Sequence, residues 1–221
     1  MGAIVNEEAM KAEIQAAYER LGFTRGWEFA KTPIAKLYTA ETFIVGQNPG
    51  GDDDNEDKDW DYPAGNHFFL GDHGGRWPVI QNQVQILHEL LEIDRENVFA
   101  AQFFPFRSVQ WNDIKGQQYN DGMKLSRELW TWVIAKSKAR RFVCMGTTVT
   151  APEIAKLINA KLELPRRDSG WGDYKIDRYV SDDGKVVVGW PHPGRYTIFT
   201  RNDPVRAEIA KASMIAAARL S

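Results

Sequence analysis

A mixed α/β fold with a largely parallel central sheet is predicted by three features of the chain. Short apolar runs at residues 42–45, 98–101 and 141–145 have the length and composition of strands buried on both faces. Segments whose apolar residues keep helical spacing alternate with these runs. Each run leads into Gly or a polar residue, and ligands of open α/β sheets sit outside the carboxyl ends of the strands. The expected arrangement is a three-layer α/β/α domain around a four-stranded sheet, with one more strand available from a hairpin.

The elements follow in order. Asn6 caps a helix whose apolar positions are Met10, Ile14, Ala17, Tyr18 and Leu21, and Gly22 ends it. The first buried strand, residues 42–45, runs straight into Gly46-Gln47-Asn48-Pro49-Gly50-Gly51, and residues 52–78 read as a long loop. A helix is expected over 79–93, with Ile80, Val84, Leu87, Leu90 and Leu91 inward. The strand at 98–101 continues into Gln102 and Phe103-Phe104-Pro105-Phe106-Arg107. After another loop come a helix over 123–135, a strand at 141–145 ending at Gly146, and a short helix opened by Pro152 and reaching about residue 160. Residues 174–190 read as two strands joined by a Ser181-Asp182-Asp183-Gly184 turn, and the second leads into Pro191-His192-Pro193-Gly194-Arg195. Asp203 and Pro204 start a closing helix through Ile209 and Met214 to Leu220. With no internal repeat or low-complexity linker, residues 1–221 are expected to form one domain.

Composition narrows the function. The 43% apolar content is that of an ordinary soluble globule with a sizeable core, and the net charge of −2 announces no polyanion partner. The single cysteine, Cys144, excludes an internal disulfide and a four-cysteine iron–sulfur cluster, and its apolar neighbours predict a buried strand position. The first ten residues carry Glu7 and Glu8 and no apolar h-region, so no signal peptide is expected there, and position 6 lacks the Ser or Thr of a myristoylation signal. A cytoplasmic protein without a membrane segment is expected. His67, His73 and His88 have no zinc spacing, and there is no phosphate-loop or nucleophile-elbow motif, so no metal and no cofactor is expected. The eight tryptophans, spread along the chain, read as packing.

Three strand ends carry the candidate chemistry: Gly46-Gln47-Asn48-Pro49-Gly50, Gln102-Phe103-Phe104-Pro105-Phe106-Arg107, and His192-Pro193. The first resembles the opening motif of the uracil-DNA glycosylase superfamily, in the Asn-Pro-Gly form of its mismatch-specific and single-strand-selective branches. His192-Pro193 resembles that superfamily's late His-Pro motif. The middle segment resembles the strand end whose polar side chain reads the base, and Gly146 also fits. The likeness spans residues 43–195, although only the two short motifs are specific.

The resemblance implies hydrolysis of the N-glycosidic bond of uracil or a related damaged base in DNA. In that reading Asn48 orients a water through its amide, and His192 donates to the base as negative charge builds on it. Gly46, Gln47, Pro49, Gly50 and Pro193 shape the pocket, Phe68 or Phe69 supplies an aromatic face for the flipped base, and Gln102 reads its edge. Arg195 and Arg201 contact phosphates, and Tyr196 wedges into a duplex. The sequence departs from the family in offering Gln102 where Asn is usual, and in continuing Gly194-Arg195-Tyr196 after the His-Pro pair. The acidic run over residues 52–61 reads as a solvated loop; it fails as an EF-hand at Lys58 and Ala64 and opposes phosphate binding beside the first motif. Two alternatives therefore stand beside the glycosylase: a member that binds a nucleotide or nucleic acid without cutting it, and a hydrolase of a free nucleoside or small N-glycoside.

Overall fold

The computed structural model describes residues 6–50, 57–70 and 78–220. The chain is mixed α/β. Its main strands are β2 (Thr42–Gly46), β4 (Val98–Gln102), β5 (Arg141–Met145), β8 (Lys175–Val180) and β9 (Val186–Trp190). Shorter ones are β1 (Trp27–Glu28), β3 (Lys58–Asp59), β6 (Lys161–Leu162) and β7 (Arg167–Asp168). The helices are α1 (Glu7–Arg20), α2 (Val79–Leu90), α3 (Gly116–Lys136), α4 (Thr150–Leu157) and α5 (Pro204–Ala218).

Among the described residues the central sheet runs β4-β2-β5-β9-β8-β6, with β7 also on β8. The first four strands are mutually parallel, and β8 turns back antiparallel beside β9. The sheet thus extends past the expected four strands: the hairpin strand β8 carries β6 and β7 on its outer side. Pairs of residues too short to carry a hydrophobic period give no sequence signal, and only the ladder of β8 makes them strands.

The apolar runs are buried on both faces for a period-two reason. Phe43, Val45, Phe99, Ala101, Phe142 and Cys144 join one apolar cluster with residues of α1, α3 and α4. The alternate residues Ile44, Val98, Ala100, Val143 and Met145 join another with residues of α2 and α5. Cys144 is fully buried, as its neighbours predict, and that burial pushes its thiol pKa well up. Trp27, Trp130 and Trp190 are also fully buried. No helix of the described residues is long and apolar enough to cross a membrane.

The caps at Asn6 and Asp203 form as expected: each side chain accepts a bond from its helix's first turn. Other boundaries differ. Helix α3 starts at Gly116, seven residues before the expected 123, although Gly116, Asn120 and Gly122 are poor helix formers. A tertiary bond accounts for it: Gln118 Nε2 donates to the Leu21 carbonyl at 3.0 Å and ties this turn to the end of α1. Helix α2 stops at Leu90, because Glu92 adopts a φ of 51° and Ile93 N–H bonds back to the His88 carbonyl. Helix α4 stops at Leu157, and Asn159, with φ 54°, turns the chain out. Of the expected loop over 52–78, the described part contains β3 and a 3₁₀ turn, His67–Phe69. Residues 52–56 of the acidic run and His73 lie outside the described residues. Within the run, Lys58 sits over the Tyr18 ring, and Asp61 accepts from Ile34 N–H at 2.6 Å.

Trp130 of α3 fixes the carboxyl end of β4, because its Nε1–H donates to the Gln102 and Phe103 carbonyls at 3.1 and 3.2 Å. Trp130→Phe keeps the ring volume near its original and removes that donor. It should lower stability by about 1–3 kcal/mol in urea unfolding; an unchanged midpoint would show that these carbonyls find other partners.

Candidate active site

The carboxyl ends of β4, β2, β5 and β9 open into one cavity of about 670 Å³. Gln102, Asn48, Gly146 and His192 all line it, one from the end of each parallel strand. Side chains 144 residues apart in sequence thus meet because the register places four strand ends along one edge.

The first motif is sewn to the segment after β4. Phe103 N–H bonds the Gly46 carbonyl at 2.8 Å, Phe104 N–H bonds that of Gln47 at 2.9 Å, and Ser108 N–H bonds that of Pro49 at 3.3 Å. Arg107 adds a bond to the Gly50 carbonyl at 3.2 Å and an ion pair with the buried Glu28 at 2.9 Å. Asn48 is held by its own side chain as well. Its Nδ2 donates to Ser108 Oγ at 2.9 Å and to the Pro49 carbonyl at 3.1 Å. With the nitrogen so engaged, the amide offers its oxygen, an acceptor suited to a water. Ser108 is a positioning residue that sequence reasoning missed. A lone Ser after an aromatic segment carries no signal until the fold brings it to Asn48.

Gln102 lies at the floor. Its side chain is 7% exposed, and its Oε1 is buried without a hydrogen-bond partner. A buried unpaired amide oxygen costs free energy unless a ligand donates to it. The amide reaches this position over Gly46, its register partner on β2, where any β-carbon would collide with Oε1. Lys31 also lines the cavity, and its ammonium is ion-paired with Glu28 at 2.5 Å. That leaves further N–H donors on the same nitrogen. Lys31 was not foreseen, because it precedes the first motif on an irregular stretch bonded to the edge of β4.

His192 is tuned by its own loop. Gly194 N–H points at His192 Nδ1 from 3.2 Å, so Nδ1 accepts and the neutral ring carries its proton on Nε2. Gly194 permits this approach, since a β-carbon there would lie 3.2 Å from His192 Cε1. Burial, and then the charge of Arg195, hold the His192 pKa below its ordinary 6.5. The ring is therefore a neutral donor at pH 7. His88, buried in α2 against Ile93 and Phe69, is likewise shifted down by burial.

The remaining sequence candidates divide. Gly46, Gln47, Gly50, Phe68, Arg195 and Tyr196 line the cavity. Pro49 and Pro193 are buried behind it, and Phe69 packs on His88 and Arg95 instead. Arg201 is engaged away from the cavity, its guanidinium over the Trp171 ring at 4.8 Å and bonded to the Gly170 carbonyl. Tyr196 is no free wedge, because its ring is half-buried between Trp171 and Tyr174. Among the described residues the lining contains no carboxylate, and no three His, Cys, Asp or Glu side chains gather as a metal-binding group.

The chain matches no model of a known protein family, and no curated protein matches it.

Two outcomes follow from this geometry. In an NMR titration His192 should show a pKa below 6.5, and Arg195→Ala should raise it by removing a repelling charge. A wild-type value at or above 6.5 would contradict the burial argument. The unfolded chain takes up protons on His88 and His192 at higher pH than the folded one. Their contribution to stability is therefore complete above 6.5 and is lost as pH falls through the depressed folded values. Gly46→Ala should displace the Gln102 amide and abolish ligand binding while the circular dichroism spectrum stays native.

Proposed function

We propose that this protein is a monofunctional DNA glycosylase, a three-layer α/β/α member of the uracil-DNA glycosylase superfamily. It releases uracil or a related modified base by hydrolysis and uses no metal or cofactor. The single observation that carries the reading is the convergence of Asn48, Gln102 and His192 on one cavity at the carboxyl edge of the parallel strands.

The polar groups favour a leaving-group mechanism. With no carboxylate among the described lining residues, no acidic side chain is there to deprotonate water. The rate then depends on stabilising the departing base. The bond from the sugar C1′ to the base nitrogen breaks, and the base leaves with the electron pair as an anion. His192 Nε2–H donates to one base carbonyl and Lys31 to another, while Gln102 Oε1 accepts the N–H between them. A base edge with a carbonyl on each side of an N–H satisfies all three groups. Uracil and xanthine have such an edge; cytosine and adenine do not. Water held by Asn48 Oδ1 adds to C1′, and its proton passes to the released base or to solvent. Phe68 supplies the apolar wall for the extruded ring.

One observation favours the small-nucleoside alternative: Arg195 is the only lining cation among the described residues without an ion pair, a sparse charge for a duplex partner. Salt dependence separates the two, since only a polymeric phosphate chain releases several counterions on binding.

The test is release of free base from uracil-containing oligonucleotides. His192→Ala should cost about 100- to 1,000-fold in rate, with DNA affinity nearly unchanged. Asn48→Asp should retain activity, because the acceptor oxygen survives and the Ser108 hydroxyl can turn to donate. Ser108→Ala should lower kcat with little change in KM, through loss of the Asn48 orientation. If no base is released from uracil, hypoxanthine or xanthine substrates, single- or double-stranded, the catalytic reading falls.

A further inference from the structure

The mouth of the cavity carries an aromatic surface that the mechanism above leaves unused. Tyr174, at the entry to β8, is 46% exposed yet lines the cavity together with Tyr196. Their ring centroids are 4.5 Å apart with planes inclined at 45°, and their hydroxyls hydrogen-bond to each other. Trp171 packs edge-on against Tyr196 at 5.8 Å and is itself covered by the Arg201 guanidinium. Arg201 in turn bonds the Gly170 carbonyl, and Ser169 Oγ donates to the Tyr174 carbonyl at 2.7 Å. The pair is therefore fixed from behind, while the Tyr174 ring remains open to solvent.

We infer that Tyr174, braced by Tyr196, is a stacking ledge for the nucleotide next to the target base, and that it makes single-stranded DNA the preferred partner. The inference rests on the glycosylase reading for what occupies the cavity, and on the ledge alone for what lies beside it. An exposed, immobilised aromatic ring offers a face to any unpaired base at small entropic cost, whereas paired bases in a duplex keep their faces against one another. The charge at the mouth points the same way. Arg195 is the only unpaired lining cation among the described residues, and the whole chain has a net charge of −2. Duplex binders draw most of their affinity from neutralised phosphates; a surface with one free cation must draw it from stacking.

Binding is measured by fluorescence anisotropy on a short single strand with a central 2′-fluoro-2′-deoxyuridine, whose glycosidic bond resists hydrolysis. The same strand is also tested in a duplex, and its ribonucleotide counterpart is tested beside it. The expected result is tighter binding of the DNA single strand than of the duplex, with a shallow salt dependence of about −0.7 in log–log slope for one neutralised phosphate. Tyr174→Ala should weaken single-strand binding by about tenfold, the size of one lost base–aromatic stack, and leave the salt slope unchanged. Tyr174→Trp should restore the affinity. Circular dichroism checks that the exposed substitution leaves the fold intact. Unchanged affinity in Tyr174→Ala, or a duplex bound more tightly with a steep salt slope, overturns the ledge; tighter binding of the ribonucleotide strand overturns DNA as the partner. Base release by the wild type is scored separately. Release with no effect of Tyr174→Ala removes the ledge and leaves the glycosylase. Tyr174-dependent binding without release keeps the ledge and removes the catalysis.

Discussion

The backbone ladder between residues 46–50 and 103–108 sets the geometry of nearly everything at the carboxyl edge of the sheet. Its bonds continue the parallel pairing of β2 with β4 beyond the strands themselves, so two loops that would otherwise move independently behave as one piece. Asn48 is bonded into this ladder through Ser108, and Gln102 is placed by its register opposite Gly46. Behind the ladder, Trp130 caps the last carbonyls of β4, and Phe103 stacks on the Trp130 ring at 6.3 Å. Phe104 and Phe106 pack edge-to-face at 5.3 Å, and Phe23 stacks on Phe106 at 4.3 Å. An aromatic cluster of this kind supplies apolar burial and rigid geometry together, which a site built on loops requires.

The electrostatics of the cavity depend on which charges are neutralised. Glu28 is buried between Lys31 and Arg107, and it holds both cations in place rather than leaving one to solvent. Breaking such a cluster would strand a buried charge, so Glu28 serves the site without touching the cavity. At the opposite wall the same desolvation acts on a neutral group. His192 stays unprotonated because burial and Arg195 both penalise its cationic form. One side of the cavity thus offers a fixed ammonium and the other a neutral N–H, with an unpaired amide oxygen on the floor.

The antiparallel side of the sheet has a different task. Strand β8 is anchored by Arg178, which donates to the Ala217 and Arg219 carbonyls at the end of α5, and by Asp177, which is paired with Arg166. These contacts fix the turn that carries Trp171 and Tyr174 against the loop after β9. The hairpin therefore connects the end of the last helix to the mouth of the cavity.

The sequence alone determined the α/β class, the buried parallel strands, the caps at Asn6 and Asp203, and the strand-end positions of Asn48, Gln102 and His192. Each is written in local chemistry: an apolar run of strand length, a short polar side chain before a helix, a Gly-rich stop after a strand. Only the tertiary structure decided the rest. It separated Phe68, on the cavity wall, from its neighbour Phe69, because adjacent residues on a 3₁₀ turn face different ways. It drew Lys31 and Ser108 to the site, took Arg201 away from it, and started α3 at Gly116 against its propensity. It also gave β8 its outer partners β6 and β7, which are too short for any periodicity. These depend on contacts between residues far apart in the chain, and such contacts acquire their energy only when the sheet brings both partners together.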